Sequence, residues 1–345
     1  MRKRQVQSGR DGKRGELALL ELIRRRTAGQ RSPGVRLGIG DDCALLLPRP
    51  EEELCVTTDL SIEGRHFRLD WHPPEAVGHR VLARGLSDLA AMGARPVAAF
   101  LSLGLPASLT MANGRQRAWV DRFLDGLLDL AKDRQAPLAG GDLAESPVAL
   151  ADIVLVGATP RSKALLRSGG RPGDSLYVTG SLGGAAAALA RLASMTKCKK
   201  SSPQSRAIPA KLRAALAPHL YPQPRVVQGM WLLRHGLATA AMDLSDGLST
   251  DLTHLCDESR VAAEVDEAAL PISSGATPAQ ALNGGEDYEL LFAAPPEARM
   301  PGTIVGVPVT KIGRLVPRRK GRPAVTLVSN ASSQPLAPEG WEHFR

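Results

Sequence analysis

The chain has 345 residues, 43% of them hydrophobic and 23% charged, which suits a globular protein with room for two cores and excludes wholesale disorder. Its formal charge of +9 is unevenly placed. Residues 1–14 hold six Lys/Arg against one Asp, 197–213 hold six and 318–322 four with no acid, so the remaining framework is net −6. That distribution, with only 3% aromatic residues, argues against a basic nucleic-acid groove as the main function.

After a polar start, residues 1–14, expected to be disordered, Glu16 to Arg26 places Leu19, Leu20 and Ile23 on one helical face, ended by Gly29. Residues 54–58 read as a β-branched strand, Val77 to Met92 as a helix closed by Gly93, Val97 to Leu105 as a strand, Ala118 to Ala131 as a helix and Ile153 to Val156 as a strand. A second unit is expected from Arg161, after Pro160 and before the Ser168-Gly169-Gly170 break. Within it, Ser175 to Thr179 and Ala238 to Met242 read as strands, and Ala185 to Leu192 and Leu248 to Glu258 as helices. The basic, polar stretch 194–213 reads as a flexible insertion. These patterns predict an α+β fold in two domains, 15–160 and 161–345, each a mixed sheet packed with helices.

No run of 18 apolar residues occurs, so no membrane span is expected. Cys43, Cys55, Cys198 and Cys256 lack zinc-site spacing and suggest no disulfide framework, which makes a reducing cytoplasm the expected compartment.

Several aspartates lie beside Gly, Ser or Thr at the ends of apolar segments, where a backbone turn would present a carboxylate: Gly38-Ile39-Gly40-Asp41-Asp42, Thr57-Thr58-Asp59, Leu86-Ser87-Asp88, Gly140-Gly141-Asp142 and Met242-Asp243-Leu244-Ser245-Asp246-Gly247. Oxygen-only ligands of this kind suit Mg²⁺. A single Asp before a helix is more often an N-cap, and Asp246 fits that role equally. Asp88, late in an apolar helical stretch, is costly unless paired or metal-bound. The Gly180–Gly184 turn offers backbone N–H groups to phosphate, but it matches neither G-x-G-x-x-G nor the P-loop pattern.

Eight segments, in order from about Gly15 to the C-terminus, resemble the thiamine-monophosphate kinase family of the aminoimidazole-ribonucleotide-synthetase-like superfamily. They are G-I-G-D-D-C-A-L-L (38–46), T-T-D-x-x-x-E-G-x-H-F (57–67), L-S-D-L-A-A-M-G-A-x-P (86–96), G-G-D (140–142), R-S-G-x-x-P-G-D (167–174), M-D-L-S-D-G-L (242–248), G-G-E-D-Y-E-L (284–290) and G-W-x-H-F (340–344). The resemblance implies ATP- and Mg²⁺-dependent phosphorylation of thiamine monophosphate to thiamine diphosphate by a cytoplasmic homodimer, with no nucleic acid or membrane partner. It implies Asp42, Thr57, Thr58, Asp59, Asp88, Asp142, Asp243 and Asp246 as magnesium ligands. Gly141, Asp142, Arg167 and Ser245 become nucleotide contacts; His66, Glu286 and Trp341 become the acceptor pocket. The family commonly has two Thr after G-G-D, where Leu143-Ala144 stand here, and a Tyr that some members place against ATP corresponds to Leu124. Two alternatives remain at this stage: a related enzyme that uses ATP to activate another small substrate, and a nucleic-acid-associated protein using the basic stretches.

The implied chemistry explains the acidic turns. Two phosphates about 4 Å apart repel by roughly 4 kcal/mol per pair of unit charges at an effective dielectric near 20, a barrier that divalent cations remove. The acceptor oxygen is already ionised, so no general base is expected. The thiazolium cation would gain about 0.5–2 kcal/mol over an indole face, which gives Trp341 a role.

Overall fold

The structure, a computed structural model, describes residues 15–30, 33–112, 117–197, 210–329, 332–341 and 344. Its first unit runs α1 (Glu16–Thr27), β1 (Val35–Leu37), β2 (Leu45–Leu46), β3 (Glu52–Ile62), α2 (Pro74–Ala91), β4 (Arg95–Leu105), α3 (Trp119–Asp133), β5 (Leu138–Glu145) and β6 (Leu150–Pro160). Strands β3-β6-β4-β5 form one sheet, antiparallel except for the β4–β5 pair. Side chains alternate along β3: Cys55, Thr57 and Asp59 are half-buried toward α2, while Leu54, Val56, Thr58 and Leu60 stand on the exposed face.

The second unit contains β7 (Ser175–Thr179), α4 (Gly184–Lys197), α5 (Ala210–Leu220), α6 (Val226–His235), β8 (Ala240–Asp243), α7 (Leu248–Ser259), β9 (Val261–Asp266), α8 (Pro278–Asn283), β10 (Leu290–Ala294), β11 (Thr303–Ile304), β12 (Val307–Pro317), β13 (Val325–Val328) and β14 (Ser333–Pro335). Its sheet is ordered β14-β13-β9-β12-β7-β10-β8, with β11 paired to β12 and only β13–β9 parallel. Leu248, Leu252 and Leu255 of α7 pack with Leu176, Val178 and Met242 into its core.

Backbone-to-backbone contact sets the spacing of the helices that carry the site. A Cβ on Gly126 of α3 would meet Glu75 O of α2 at 1.8 Å, and one on Gly229 of α6 would meet Ala90 O of α2 at 1.9 Å. Any side chain at either place would push the helices apart.

Several expectations change. The second helix starts at Pro74, three residues early, because proline at the first helical position costs no hydrogen bond. Leu20 is 38% exposed, so α1 buries Leu19 and Ile23 without it. Residues 194–197 continue α4 and 210–213 open α5, so the insertion is shorter than expected. The stretches 1–14 and 198–209 lie outside the described residues. Thr57-Thr58-Asp59 and Gly140-Gly141-Asp142 sit inside β3 and β5, not in turns, because strand pairing with β6 and β4 continues through both.

Candidate active site

Where α2 meets the second unit, five oxygen-bearing side chains gather. Thr57 Oγ1 donates to Asp88 Oδ2 from β3 to α2. One residue earlier on α2, Ser87 Oγ donates to Asp243 Oδ2 at 2.7 Å, joining the helix to the end of β8. Asp59 completes the row, its Oδ1 2.6 Å from Arg84 Nη2. Thr57, Asp88, Asp243 and Arg167 line one cleft of about 490 Å³. Burial, with Asp88 nearby, pushes the Asp243 carboxyl up to about 7. Burial likewise raises Asp88, with the charge of Asp59 adding to it, and raises Asp59 despite Arg84. Three carboxyls thus crowd where a cation would relieve them.

Beside this row, Arg80 ties together two residues implied for the acceptor pocket. Its side chain, 4% exposed, donates from Nη2 to Glu286 Oε1 at 2.6 Å and to His66 O at 3.2 Å, and from Nη1 to His219 O at 2.5 Å. The other Glu286 oxygen lies 3.2 Å from His219 Nδ1. The rings meet at 2.9 Å between His72 Nε2 and His219 Nε2; His72 Nδ1 lies 3.1 Å from both N and O of Arg68, and His219 Nδ1 lies 3.1 Å from Arg80 Nη1. Burial supports neutral rings, since it carries His72 down to about 3 and lowers His219. Burial opposes the Glu286 charge, yet Arg80 and His219 hold that carboxyl well below the usual range. Glu286 and Tyr288 both have positive φ, 70° and 50°, and their N–H groups bond Ser245 O and Leu244 O, so the loop is locked onto the Asp243–Gly247 turn.

The C-terminal segment reaches the same turn. Trp341 N–H donates to Asp246 O at 3.0 Å, and Gly340 N–H to Thr250 Oγ1 at 3.0 Å, leaving the indole 53% exposed. Ser245, Asp246 and Gly247 N–H groups all donate to Asp251 Oδ2. Other expected residues are not brought into the row. Asp42 is exposed in the 38–42 loop, and Thr58 and Asp142 face the outer side of the sheet, away from Thr57 and Asp59. Gly141 sits beside Asp142 with φ 147°, where a Cβ would lie 1.9 Å from Leu101 O. Leu124 is fully buried in the core between α2 and α3 and cannot touch a ligand in the cleft.

The family model for AIR synthase related protein, N-terminal domain, matches residues 40–159, and its C-terminal-domain counterpart matches 171–326. Thiamine-monophosphate kinase of Escherichia coli (strain K12) is 37% identical over 345 residues, covering 96% of this chain and 98% of its own. The chain belongs to the thiamine-monophosphate kinase family. Among solved structures, thiamine-monophosphate kinase from Stenotrophomonas maltophilia K279a has a TM-score of 0.76 at 36% identity, covering 92% of this chain and 98% of that one. AaThiL complexed with AMPPCP and TMP has a TM-score of 0.70 at 31% identity, covering 96% and 97%.

Several residues of this thiamine-monophosphate kinase family member escaped the motifs. Arg80 and Arg84 lie in a segment read only as apolar helix, and His219 in a stretch beyond the 194–213 insertion that was given no reading; a charge within an apolar helical run, the signal used for Asp88, was equally present at Arg80 and Arg84. The Gly180–Gly184 turn does not offer its amides to phosphate: Asp287 accepts from Gly183 N–H at 2.6 Å and Ala185 N–H at 3.1 Å. Glu289 is taken by Arg225, at 2.6 Å from Nε, and by Thr179 Oγ1 at 2.6 Å. Among the described residues no three acidic, His or Cys groups converge as a closed metal cage. The donor set still fits Mg²⁺, which takes one or two carboxylates per ion and keeps waters, and the crowded, charge-poor carboxyls of Asp59, Asp88 and Asp243 are suited to it.

Proposed function

We propose that this chain is a thiamine-monophosphate kinase: it transfers the terminal phosphoryl group of ATP to the phosphate of thiamine monophosphate, giving thiamine diphosphate and ADP. What carries the reading is the junction itself, where the Thr57–Asp59–Asp88–Asp243 row stands next to the Arg80-held pair of His66 and Glu286. In the transfer, an ionised oxygen of the acceptor phosphate forms a bond to the terminal phosphorus of ATP as the bond to the ADP oxygen breaks. No side chain needs to remove a proton. Asp59, Asp88 and Asp243, with the Thr57 hydroxyl, would hold magnesium by one or two carboxylates per ion, and the metal would supply charge neutralisation between the two phosphates. Arg167, on the cleft with Asp88 and Asp243, and Ser245 contact the nucleotide. Glu286 and His66 orient the acceptor, and the exposed indole of Trp341 covers its cationic ring.

Asp42, Thr58, Gly141 and Asp142 stand outside that row and take no part in it in this reading, whereas Asp246, on the Asp243–Gly247 turn, is kept as a magnesium ligand. Thr58 and Asp142 lie on the outer sheet face together with Leu54, Val56 and Leu60, which are 43%, 63% and 46% exposed. A contiguous apolar strip of this kind fits a second copy of the chain, and the homodimer is built on it. The domain division falls at 160/161. We assign the enzyme to the cytoplasm, consistent with the free thiols of Cys43, Cys55 and Cys256; no described helix is long and apolar enough to cross a membrane.

The test is ADP release by the purified chain with ATP and Mg²⁺. Release that requires thiamine monophosphate, and does not occur with thiamine, supports the reading; release with neither acceptor refutes it. Sedimentation of Val56→Lys tests the dimer: a monomer is expected, and an unchanged dimer would place the interface elsewhere.

A further inference from the structure

At the end of the first sheet remote from Asp59 lies a second cleft, of about 990 Å³, bounded by the C-terminal ends of α1 and α3 and by the length of α6 from Val226 to Arg234. It opens beside Arg95 and the start of β3, seven residues along the strand from Asp59, or about 23 Å at 3.3 Å per residue. None of the residues in the candidate active site lines it.

Six cations line this cleft, Arg26, Arg49, Arg95, Lys132, Arg134 and Arg234, against one acid, Asp133. Part of that charge is already answered. Arg26 pairs with Asp125, Arg95 with Glu52 at 2.9 Å and Arg134 with Asp133 at 3.5 Å, which leaves Arg49, Lys132 and Arg234 without an ion-pair partner among the described residues. The simplest account is helix capping, since cations favour helix C-termini. The two helix C-termini of α1 and α3 supply only about −0.5 each, roughly −1 together, and α6, which lines the cleft with both its ends, adds no net charge against a residual +3. The remainder suits one phosphate group.

Hydrogen-bonding capacity agrees. Of the buried side-chain polar atoms that lack a partner among the described residues, two, Gln30 Oε1 and Arg95 Nε, belong to residues of this wall, and Arg95 Nε is a donor. The opposite wall is apolar: α6 presents Val227, 42% exposed, together with Met230 and Trp231, whose indole is held by stacking on His235 at 4.0 Å, and Val305 is 61% exposed. A cleft of this volume with one flat aromatic wall and a cationic rim has the make-up of a small-molecule site.

We propose that this cleft is a second binding site, separate from the kinase site, for a phosphate monoester carried on a flat apolar ring. The phosphate sits among Arg49, Lys132, Arg134 and Arg234, and the ring lies against Trp231.

The test uses the full chain and phenyl phosphate as the probe, titrated by calorimetry, with binding at this cleft told from binding in the acceptor pocket by the Trp231 signal and by charge reversal. Phenyl phosphate is expected to bind and to quench Trp231 fluorescence, a signal absent in Trp231→Phe. The double charge reversal Lys132→Glu/Arg234→Glu, at two exposed positions, is expected to weaken binding by at least about tenfold, equivalent to about 1.4 kcal/mol, while kinase turnover without the probe is unchanged. Inorganic phosphate is expected to bind more weakly than phenyl phosphate, and phenol weaker than either. The proposal is overturned by affinity that the charge reversal leaves intact, by equal affinity for inorganic phosphate and phenyl phosphate, or by no binding of phenyl phosphate to a protein whose kinase activity is normal. Because kinase activity is read in the same preparations, failure of the cleft and failure of the kinase assignment are separable.

Discussion

Replacing Arg80 with Met deletes a cation that is 4% exposed and donates to Glu286, His66 O and His219 O. Removing one partner of a buried ion pair typically costs about 3–5 kcal/mol, because the survivor stays desolvated and uncompensated. His219 moderates that cost. Burial and then Arg80 now lower its pKa, so without Arg80 the ring binds a proton more readily beside Glu286; His72, which faces it, is neutral. Burial and Arg80 hold the His219 pKa down, so the folded wild type loses stability as pH falls; lifting part of that shift lets the variant lose less, and the gap between the two narrows toward low pH. The deficit in urea unfolding is therefore expected to be about 3–5 kcal/mol at pH 8 and smaller at pH 6. Adding Glu286→Gln should recover part of it at pH 8, a non-additivity of about 0.5–3 kcal/mol. Should Arg80→Met leave no fold to measure, Arg80→Lys keeps the charge without the fork, and a tenfold or greater rise in KM for thiamine monophosphate, with KM for ATP little changed, is the expected readout. A loss below about 1 kcal/mol that does not vary with pH, with additive Glu286→Gln, would refute the network as the element that places Glu286.

Gly229→Ala puts a Cβ 1.9 Å from Ala90 O and should lower stability by about 1–3 kcal/mol, read from urea midpoints; an unchanged midpoint would mean α2 and α6 separate freely. Burial pushes Asp287 up to about 7, above its unfolded value, so its ionisation costs stability as pH rises from about 4 to 7, by no more than about 4 kcal/mol. Asp287→Asn should flatten that part of the pH profile, and parallel profiles would remove Asp287 as its source. Trp341→Ala is expected to raise KM for thiamine monophosphate far more than for ATP, and equal effects would end the stacking role.

The acidic residues were legible because Asp amid Ala, Leu and Gly is conspicuous, and the α+β alternation because the helices α1, α3 and α7 bury regular apolar stripes. Which carboxylates meet was not legible. Thr57 and Thr58 are neighbours in sequence yet face opposite sides of β3, since successive strand residues alternate and a motif read as a turn hides that alternation. Arg80 and His219 are 139 residues apart and meet only through packing of α5 against the end of α2. The Gly-rich turn misled for a related reason: amides are a local property, and the acid that fills two of them, Asp287, lies 104 residues along the chain from Gly183 and reaches it only through the pairing of β10 with β7.

The alternation of β3 also limits how this enzyme can vary over time. One row of the strand, Thr57 and Asp59, works toward α2, and the interleaved row, Val56 and Leu60, is the proposed subunit face. Inserting or deleting a single residue ahead of Thr57, with pairing to β6 kept, exchanges the two rows: valine and leucine would replace the carboxylate and hydroxyl inside, and an aspartate would enter the subunit contact. Both properties would fail in one step, and no single compensating substitution restores either. Length changes along 52–62 should therefore be absent from functional variants.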